Sequence, residues 1–593
     1  MKKLIKNIKN IRNIIFLFSG ILCSCNGLLD LQNDGRVTME EVFTTRDGVR
    51  GYLNACYNYR PVPTHERSSL CDDSQDADDM YANSRYSFWY GNAYSVASFS
   101  ASDGNPWASY YEGIRKCNVF IAKMSGVAPN TINASQGELS GWIAQARTLR
   151  ALYYLQLIKR YGEVPLLTEP YTVTHDYSAD RRTPVSDVVA QILKDCDDAL
   201  TAPDIELGFA WTLLSGQSGI MTRAVAHAIK SQAITYACSP LFDDGVYTWA
   251  DATRINAEAL YQCTTNGYEL FRDVPAAEMA QNAYALYFIT RPDEMRAYDK
   301  ETIYGANNVD IWRQSGLLST PGQEKAGVCP TQELIDSYEM EANGEPPFLG
   351  YADEQHLNPI LNPAANYDPD NPYDGRDPRF YASVYYNGAP RNLSGTVIEV
   401  ETFVGGEDGI SVNDRRTTRT GYYLRKYNNW RSNRDNLADG AVRLFRLAEI
   451  YLNFAESAYQ SHGPDVVVNI DGRVFMSARD AVGEVRSRAG MLPFPAGMSN
   501  DDFEKKYRNE RRIELAFEEH RFFDVRRWQI LDETERYVTG MRITRQGANL
   551  NYERIVFERG SWLPKYYLYP VPQSEVNIMQ GHTGINWQNP GWN

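Results

Sequence analysis

RNERRIELAFEEHRFFDVRRW, Arg508 to Trp528, sets three glutamates, Glu510, Glu514 and Glu518, four residues apart with arginines beside them. On a helix those acids share one face, and Arg511 and Arg512 lie next to them. Guanidinium–carboxylate arrays of this kind lock helices to one another through charge-assisted hydrogen bonds. The stretch also holds Glu519, His520 and Asp524. Perturbed carboxylates occur in structural networks as well as in active sites, and the dense matching of acid to arginine favours the structural reading. The pattern predicts a helix over Asp501 to Glu519 and places Trp528 in the core.

Other helices follow outward from this one. In RLFRLAEIYLNFAESAY the apolar positions Leu444, Leu447, Ala448, Tyr451, Leu452 and Ala455 recur at helical spacing. Similar patterns cover Trp107 to Lys123, Gly141 to Tyr161 (with Trp142 inward), Pro184 to Leu200, Thr222 to Cys238 and Ala250 to Cys263. These helices come in pairs, and Ala224, Ala226, Ala228, Ala233 and Ala237 would let a second helix approach closely. Between about Phe271 and Tyr427 the chain turns to Pro, Asn, Gly, Asp and Tyr, with short strand-like runs such as TVIEVETFV and YYLRKY. Loops of that length inside a compact protein tend to be functional surfaces.

The N-terminus reads as an export signal. Lys2, Lys3, Lys6, Lys9 and Arg12 precede Ile14 to Leu22, a largely apolar block too short to span a bilayer. Leu22-Cys23-Ser24-Cys25 resembles a bacterial lipobox, with residues 1–24 as the leader and Cys25 as the lipidated first residue of the mature chain. Several acyl chains together anchor firmly where one does so only marginally.

The formal charge is −15, and without the five leader cations it becomes −20, 55 basic residues against 75 acidic. That excludes nucleic acid as a partner, because such binding needs cationic surface to displace counterions. Seven cysteines remain after Cys25, scattered singly, so neither a disulfide framework nor a zinc site is indicated. The seven histidines form no H-E-x-x-H, and GQSGI lacks the second glycine of a nucleophile elbow. In CDDSQDADDM, Asp72, Asp76 and Asp78 are the acids a structural calcium ion would use. Ala77 stands where an EF-hand loop needs Gly and Asn83 where it needs Glu. These acids therefore read as solvated caps, as do those of DPDNPYDGRD.

Several stretches together resemble the SusD/RagB family of Bacteroidetes outer-membrane nutrient-binding lipoproteins. They are LLDLQ from Leu28, WASYYEGIRKCN from Trp107, ARTLRALYYLQLIKRYGEVPL from Ala146, PTQELIDSYEM from Pro330, GRDPRF from Gly375 and GYYLRKY from Gly421. The C-terminal third adds RLAEIYLNFAES, EVRSRAGM, the arginine–glutamate stretch quoted at the outset, YPVPQSEV and QNPGW. The resemblance implies a mainly α fold with four tetratricopeptide-like helix pairs and a loop-rich glycan-binding face, spanning residues 25–593 as one unit. Within it, about 40–270 and 441–593 are helical and about 271–440 is the loop-rich insertion. It also implies capture of oligosaccharide or polysaccharide at the cell surface, delivery to a SusC-like TonB-dependent transporter, and no enzymatic activity. Peptide cargo, and a surface glycosidase whose acids need only lie about 5–10 Å apart in space, are the alternatives.

Sugar binding calls for flat aromatic faces beside Asp, Asn and Arg. The chain carries 40 Tyr and 11 Trp. By location in the resemblance, the loop around DADDMYANSRYSFWYGNAY nominates Asp73, Asp79, Tyr81, Trp89 and Tyr90. IYGANNVDIWRQ nominates Tyr304, Trp312 and Arg313, and Tyr422 follows from GYYLRKY. Trp89 and Trp312 lead this set.

Overall fold

The computed structural model describes residues 38–592 apart from 63–65, 78–88, 103–104, 173, 206–207, 212–218, 273, 275–281, 290–298, 306–325, 394–395, 428–441 and 471–472. The leader and Cys25 lie outside the described residues.

Helices dominate. After α1 (Arg46–Cys56) come α2 (Pro106–Met124), α3 (Gln136–Tyr161), α4 (Val185–Leu200), α5 (Arg223–Ala237) and α6 (Trp249–Thr265), and from α2 onward each packs on the next. Far along the chain, α7 (Leu447–His462) returns to pack on α5 and α6, and α8 (Ala478–Ala489) packs on α7. Then follow α9 (Asn500–Glu514), α10 (His520–Arg527) and α11 (Gln573–Thr583). Among the described residues, no helix is long and apolar enough to cross a membrane.

Local sequence explains the helix ends. Ser135 and Glu138 form a reciprocal capping box at the start of α3, Ser477 and Asp480 do so for α8, and Thr222 caps α5. Helix α3 is buried nearly all round, with Leu152, Tyr153, Tyr154 and Leu155 in succession all fully buried. A helix with no solvent face sits at the centre of its stack. The alanines of α5 are buried, as its composition predicts. At Gly113 in α2 an added Cβ would lie 2.6 Å from the Tyr153 ring, so the α2–α3 contact depends on glycine.

Two helix boundaries differ from the sequence reading. The RLFR run is not helical: Arg443–Arg446 is a strand, β4, that pairs antiparallel with β2 (Thr302–Gly305), and α7 starts at Leu447. Arg446 is extended because its guanidinium is drawn to Glu301, Glu514 and Glu518. Likewise α9 ends at Glu514 instead of reaching Glu519. Phe517 and Glu519 turn the chain through the left-handed region, with φ of 62° and 66°.

The central region contributes short two-stranded ladders rather than a continuous sheet. In one, β1 (Ser74–Asp76) runs antiparallel to β3 (Val328–Pro330), with Ser74 opposite Pro330. A long hairpin of β5 (Tyr537–Gln546) and β6 (Asn549–Glu558) interrupts the C-terminal helices. The largest hydrophobic core runs from Val49 to Trp592, joining both ends of the chain, and a second gathers Phe271, Leu334, Phe380, Tyr422 and Phe517. All seven described cysteines are buried free thiols.

Candidate functional site

Five of the sequence-nominated sugar contacts are described, and all five are interior. Trp89 is 2% exposed, packed among Tyr566, Tyr94, Phe99 and Phe522 with ring centroids 4.9–5.9 Å away. Tyr90 donates its hydroxyl to Ser69 O at 2.7 Å and lies under the Arg559 guanidinium. Tyr304 sits in β2, and Tyr422 bonds Gln332 Oε1 at 2.6 Å. Asp73 is fully buried and accepts from Arg512 Nε at 2.8 Å. The expected role is corrected for these five, because each is buried and presents no ring face or oxygen at the surface on which a sugar could settle. Asp79, Tyr81, Trp312 and Arg313 lie outside the described residues, as does Asp78. The segments bearing them border one ladder: Ala77 N donates to Gly327 O at 2.8 Å, just after β1 and just before β3.

Asp72, Asp73 and Asp76 of CDDSQDADDM are not solvated caps. Asp72 and Asp76 are buried, and Asp72 meets Arg521 through two bonds of 2.8 Å and Arg512 at 3.0 Å. Burial would raise the Asp72 carboxyl, but Arg512 and Arg521 hold it at about 2. Beside it, burial and then the Asp72 charge push Glu535 up to about 7. Guanidinium groups occupy the Asp72 oxygens that a calcium ion would need. Among the described residues, no group of three or more His, Cys, Asp or Glu is placed to hold a metal ion.

The arginine–glutamate stretch forms the lattice its sequence suggests. Glu510 receives Arg379 and Arg486, and Glu514 receives Arg379, Arg446 and Arg488. Glu518 receives Arg446 and Lys426. Burial alone would raise the Glu514 carboxyl, yet Arg488, Arg446 and Arg379 hold it at about 2. A fully buried carboxylate that three arginines hold ionised is shut off from any substrate with which it could exchange a proton.

An open, aromatic concavity lies elsewhere, where one face of α2, a strap of residues 165–180 and α11 enclose about 610 Å³. That volume falls in the usual range of ligand pockets. From α2 come Trp107, Tyr111 and Arg115 at successive turns. The strap is pinned from beneath: Tyr111 donates to Pro165 O at 2.8 Å, Asn118 to Leu167 O at 2.9 Å and Arg150 to Thr168 O at 2.9 Å. Arg182 fastens the C-terminal wall through Trp587 O at 3.0 Å and Asn589 Oδ1 at 2.7 Å.

At the groove's mouth Tyr171 stacks on His175, centroids 3.6 Å apart, and donates to Asp180 Oδ2 at 3.2 Å. Burial and then the Asp180 charge push the Tyr171 phenol up to about 12, so it stays a donor. Tyr177 stands edge-on to Tyr171 at 5.9 Å. On the opposite wall, burial raises the carboxyl of Glu575. The Trp587 indole N–H is buried with no acceptor. The sequence reading missed these residues. The available signal was TEPYTVTHDYSAD, a polar strap holding two tyrosines with few aliphatic residues to bury them.

The family described as "SusD family" matches residues 291–592. This chain belongs to the SusD family. A second description, "Starch-binding associating with outer membrane", matches residues 28–205. Among solved structures, a SusD-like protein from Bacteroides fragilis NCTC 9343 is 25% identical, with a TM-score of 0.72 over 93% of this chain and 98% of that one. A SusD-like carbohydrate-binding protein from the same organism is 21% identical, with a TM-score of 0.67 over 91% and 99%. A laminarin-binding SusD-like protein is 19% identical, with a TM-score of 0.54 over 92% and 100%. No curated protein matches the chain. The mainly helical SusD-like fold expected from the sequence is therefore established.

Proposed function

We propose that this SusD-family protein is a lipid-anchored binder of oligosaccharide or polysaccharide on the outer membrane, which hands its cargo to a SusC-like TonB-dependent transporter without cleaving it. The observation that carries the reading is family membership, together with the match of residues 28–205 to a starch-binding, outer-membrane-associated description. Structural neighbours bearing carbohydrate-binding and laminarin-binding names agree with it. The lipobox ending in Cys25 supplies the anchor, and multiple acyl chains are needed for stable attachment.

The non-enzymatic part is supported by the state of the carboxylates in the arginine–glutamate stretch, which arginines and a lysine neutralise in buried sites. Trp312, Asp79, Tyr81 and Arg313 remain proposed loop contacts to the glycan.

Titration calorimetry of the mature protein against a polysaccharide panel, with product analysis by chromatography, tests the function. Saturable binding with no new reducing ends is expected. Release of shorter products, or indifference to every glycan, overturns it. Replacing Cys25 with Ala should move the protein from the membrane to the soluble fraction, and unchanged membrane retention contradicts anchoring.

A further inference from the structure

We infer that the groove between α2, the 165–180 strap and α11 is a saccharide site in its own right, which seats uncharged or amino-bearing sugar residues on Tyr171 and Tyr177 and turns away uronates and sulfate esters. This rests on the carbohydrate-binding reading above and adds a site separate in sequence from the 78–88 and 306–325 segments.

The first ground is exposure. The chain has 22 Phe, 40 Tyr and 11 Trp. Among the described residues, only two of these side chains reach 36% exposure: Tyr171 at 36% and Tyr177 at 37%. Scattered exposure of single apolar side chains needs no explanation. Here, however, the two open rings stand 5.9 Å apart in one concavity. His175 covers one face of Tyr171 and holds the ring upright, as a platform for the apolar C–H face of a pyranose requires.

The second ground is unmet hydrogen bonding. The half-buried Glu575 carboxyl has no bonding partner among the described residues, and a sugar hydroxyl would provide one.

The third ground is charge. Glu112, Glu169, Asp180 and Glu575 line the groove against one arginine, Arg115. Carboxylates clustered within about a Debye length of 8–10 Å repel an anionic ligand. The strap is also held in place by Tyr111, Asn118 and Arg150 before any ligand arrives. Such preorganisation lowers the ordering cost of binding.

The test is calorimetry of the mature chain with maltoheptaose, laminarihexaose, chitosan hexamer and hexagalacturonate. At least one of the first three should bind and hexagalacturonate should not. For the oligosaccharide that binds, Tyr171→Ala and Tyr177→Ala should each weaken affinity tenfold or more, and Tyr171→Phe should keep most of it. Lys194→Ala, at an exposed side chain outside the groove, should leave binding in place. Thermal melts identical to wild type exclude misfolding as the cause. If wild type binds but both alanine variants bind equally well, the groove assignment falls and the capture function stands. Equal affinity for hexagalacturonate overturns the charge selectivity. If wild type binds none of the four, both readings fall.

Discussion

The arginine–glutamate lattice beneath α9 and the tyrosine groove beside α2 are both dense in polar and aromatic side chains, and they differ in what is left over. In the lattice every carboxylate is met: Glu514 alone takes bonds from Arg379, Arg446 and Arg488 and is fully buried. In the groove two rings stay open and a half-buried glutamate lacks a partner among the described residues. A saturated network can only hold the protein together, because breaking any of its bonds to admit a ligand leaves a charge uncompensated. An unsaturated one can accept a ligand at no such cost. Residue type does not separate scaffold from site here; exposure of the rings to solvent does.

Substitutions should therefore act on stability in one region and on binding in the other. The largest effect is expected for Glu514→Ala, which strands three buried guanidinium groups. Removing one partner of a buried ion pair costs about 3–5 kcal/mol, so the variant should melt far below wild type or fail to accumulate. A melting curve matching wild type would break the comparison.

The lattice also predicts an acid limb. Glu514 is held at about 2 against an ordinary 4.5. Its contribution is thus complete above pH 4.5 and is lost as pH falls toward 2, when the native state must take up a proton.

Glu535 behaves with the opposite sign and should give a smaller effect. Its folded value of about 7, set by burial and Asp72 against Arg559, Arg526 and Arg521, exceeds the unfolded 4.5. Unfolding therefore releases its proton between those values, and stability falls as pH rises from about 4.5 to 7. Glu535→Gln should remove that fall, seen as a growing advantage over wild type in urea titrations from pH 5 to pH 7. Parallel wild-type and variant curves would contradict the assignment.

In the groove, Tyr177→Ala should change unfolding free energy by no more than about 0.5 kcal/mol, the usual range for surface positions, while weakening sugar binding. The smallest change is expected for Lys194→Ala, which removes an exposed i,i+4 pair with Asp198 worth about 0.3–0.5 kcal/mol. A loss above 1 kcal/mol there would show that surface pairs matter more in this fold than the comparison allows.

Much of the scaffold was legible in the sequence. Helical periodicity located α2 to α6 to within a few residues, since burial against neighbours imposes a repeat of 3.6 on whichever residues face inward. Trp142 and Trp528 are core, as their helical positions required. The boundary at Leu447 was not legible, because RLFR is apolar at helical spacing and only the distant Glu301, Glu514 and Glu518 pull Arg446 into an extended strand. Trp89, Tyr90, Tyr304 and Tyr422 were misplaced for a related reason. Tyr and Trp serve equally as packing and as stacking surfaces, and proximity to a loop does not tell which way a ring faces.

By itself the sequence determined the family, the helical architecture and the pairing of acid with arginine, because periodicity and charge matching are local properties that survive in one dimension. Only the tertiary structure decided which aromatic rings remain open and which polar atoms remain unmatched. Tyr171 is some 400 residues from Glu575 and Trp587 along the chain, and they meet only because α11 packs on the turn at Tyr177–Ala179. Exposure and satisfaction are sums over all neighbours in space, and no stretch of sequence contains that sum.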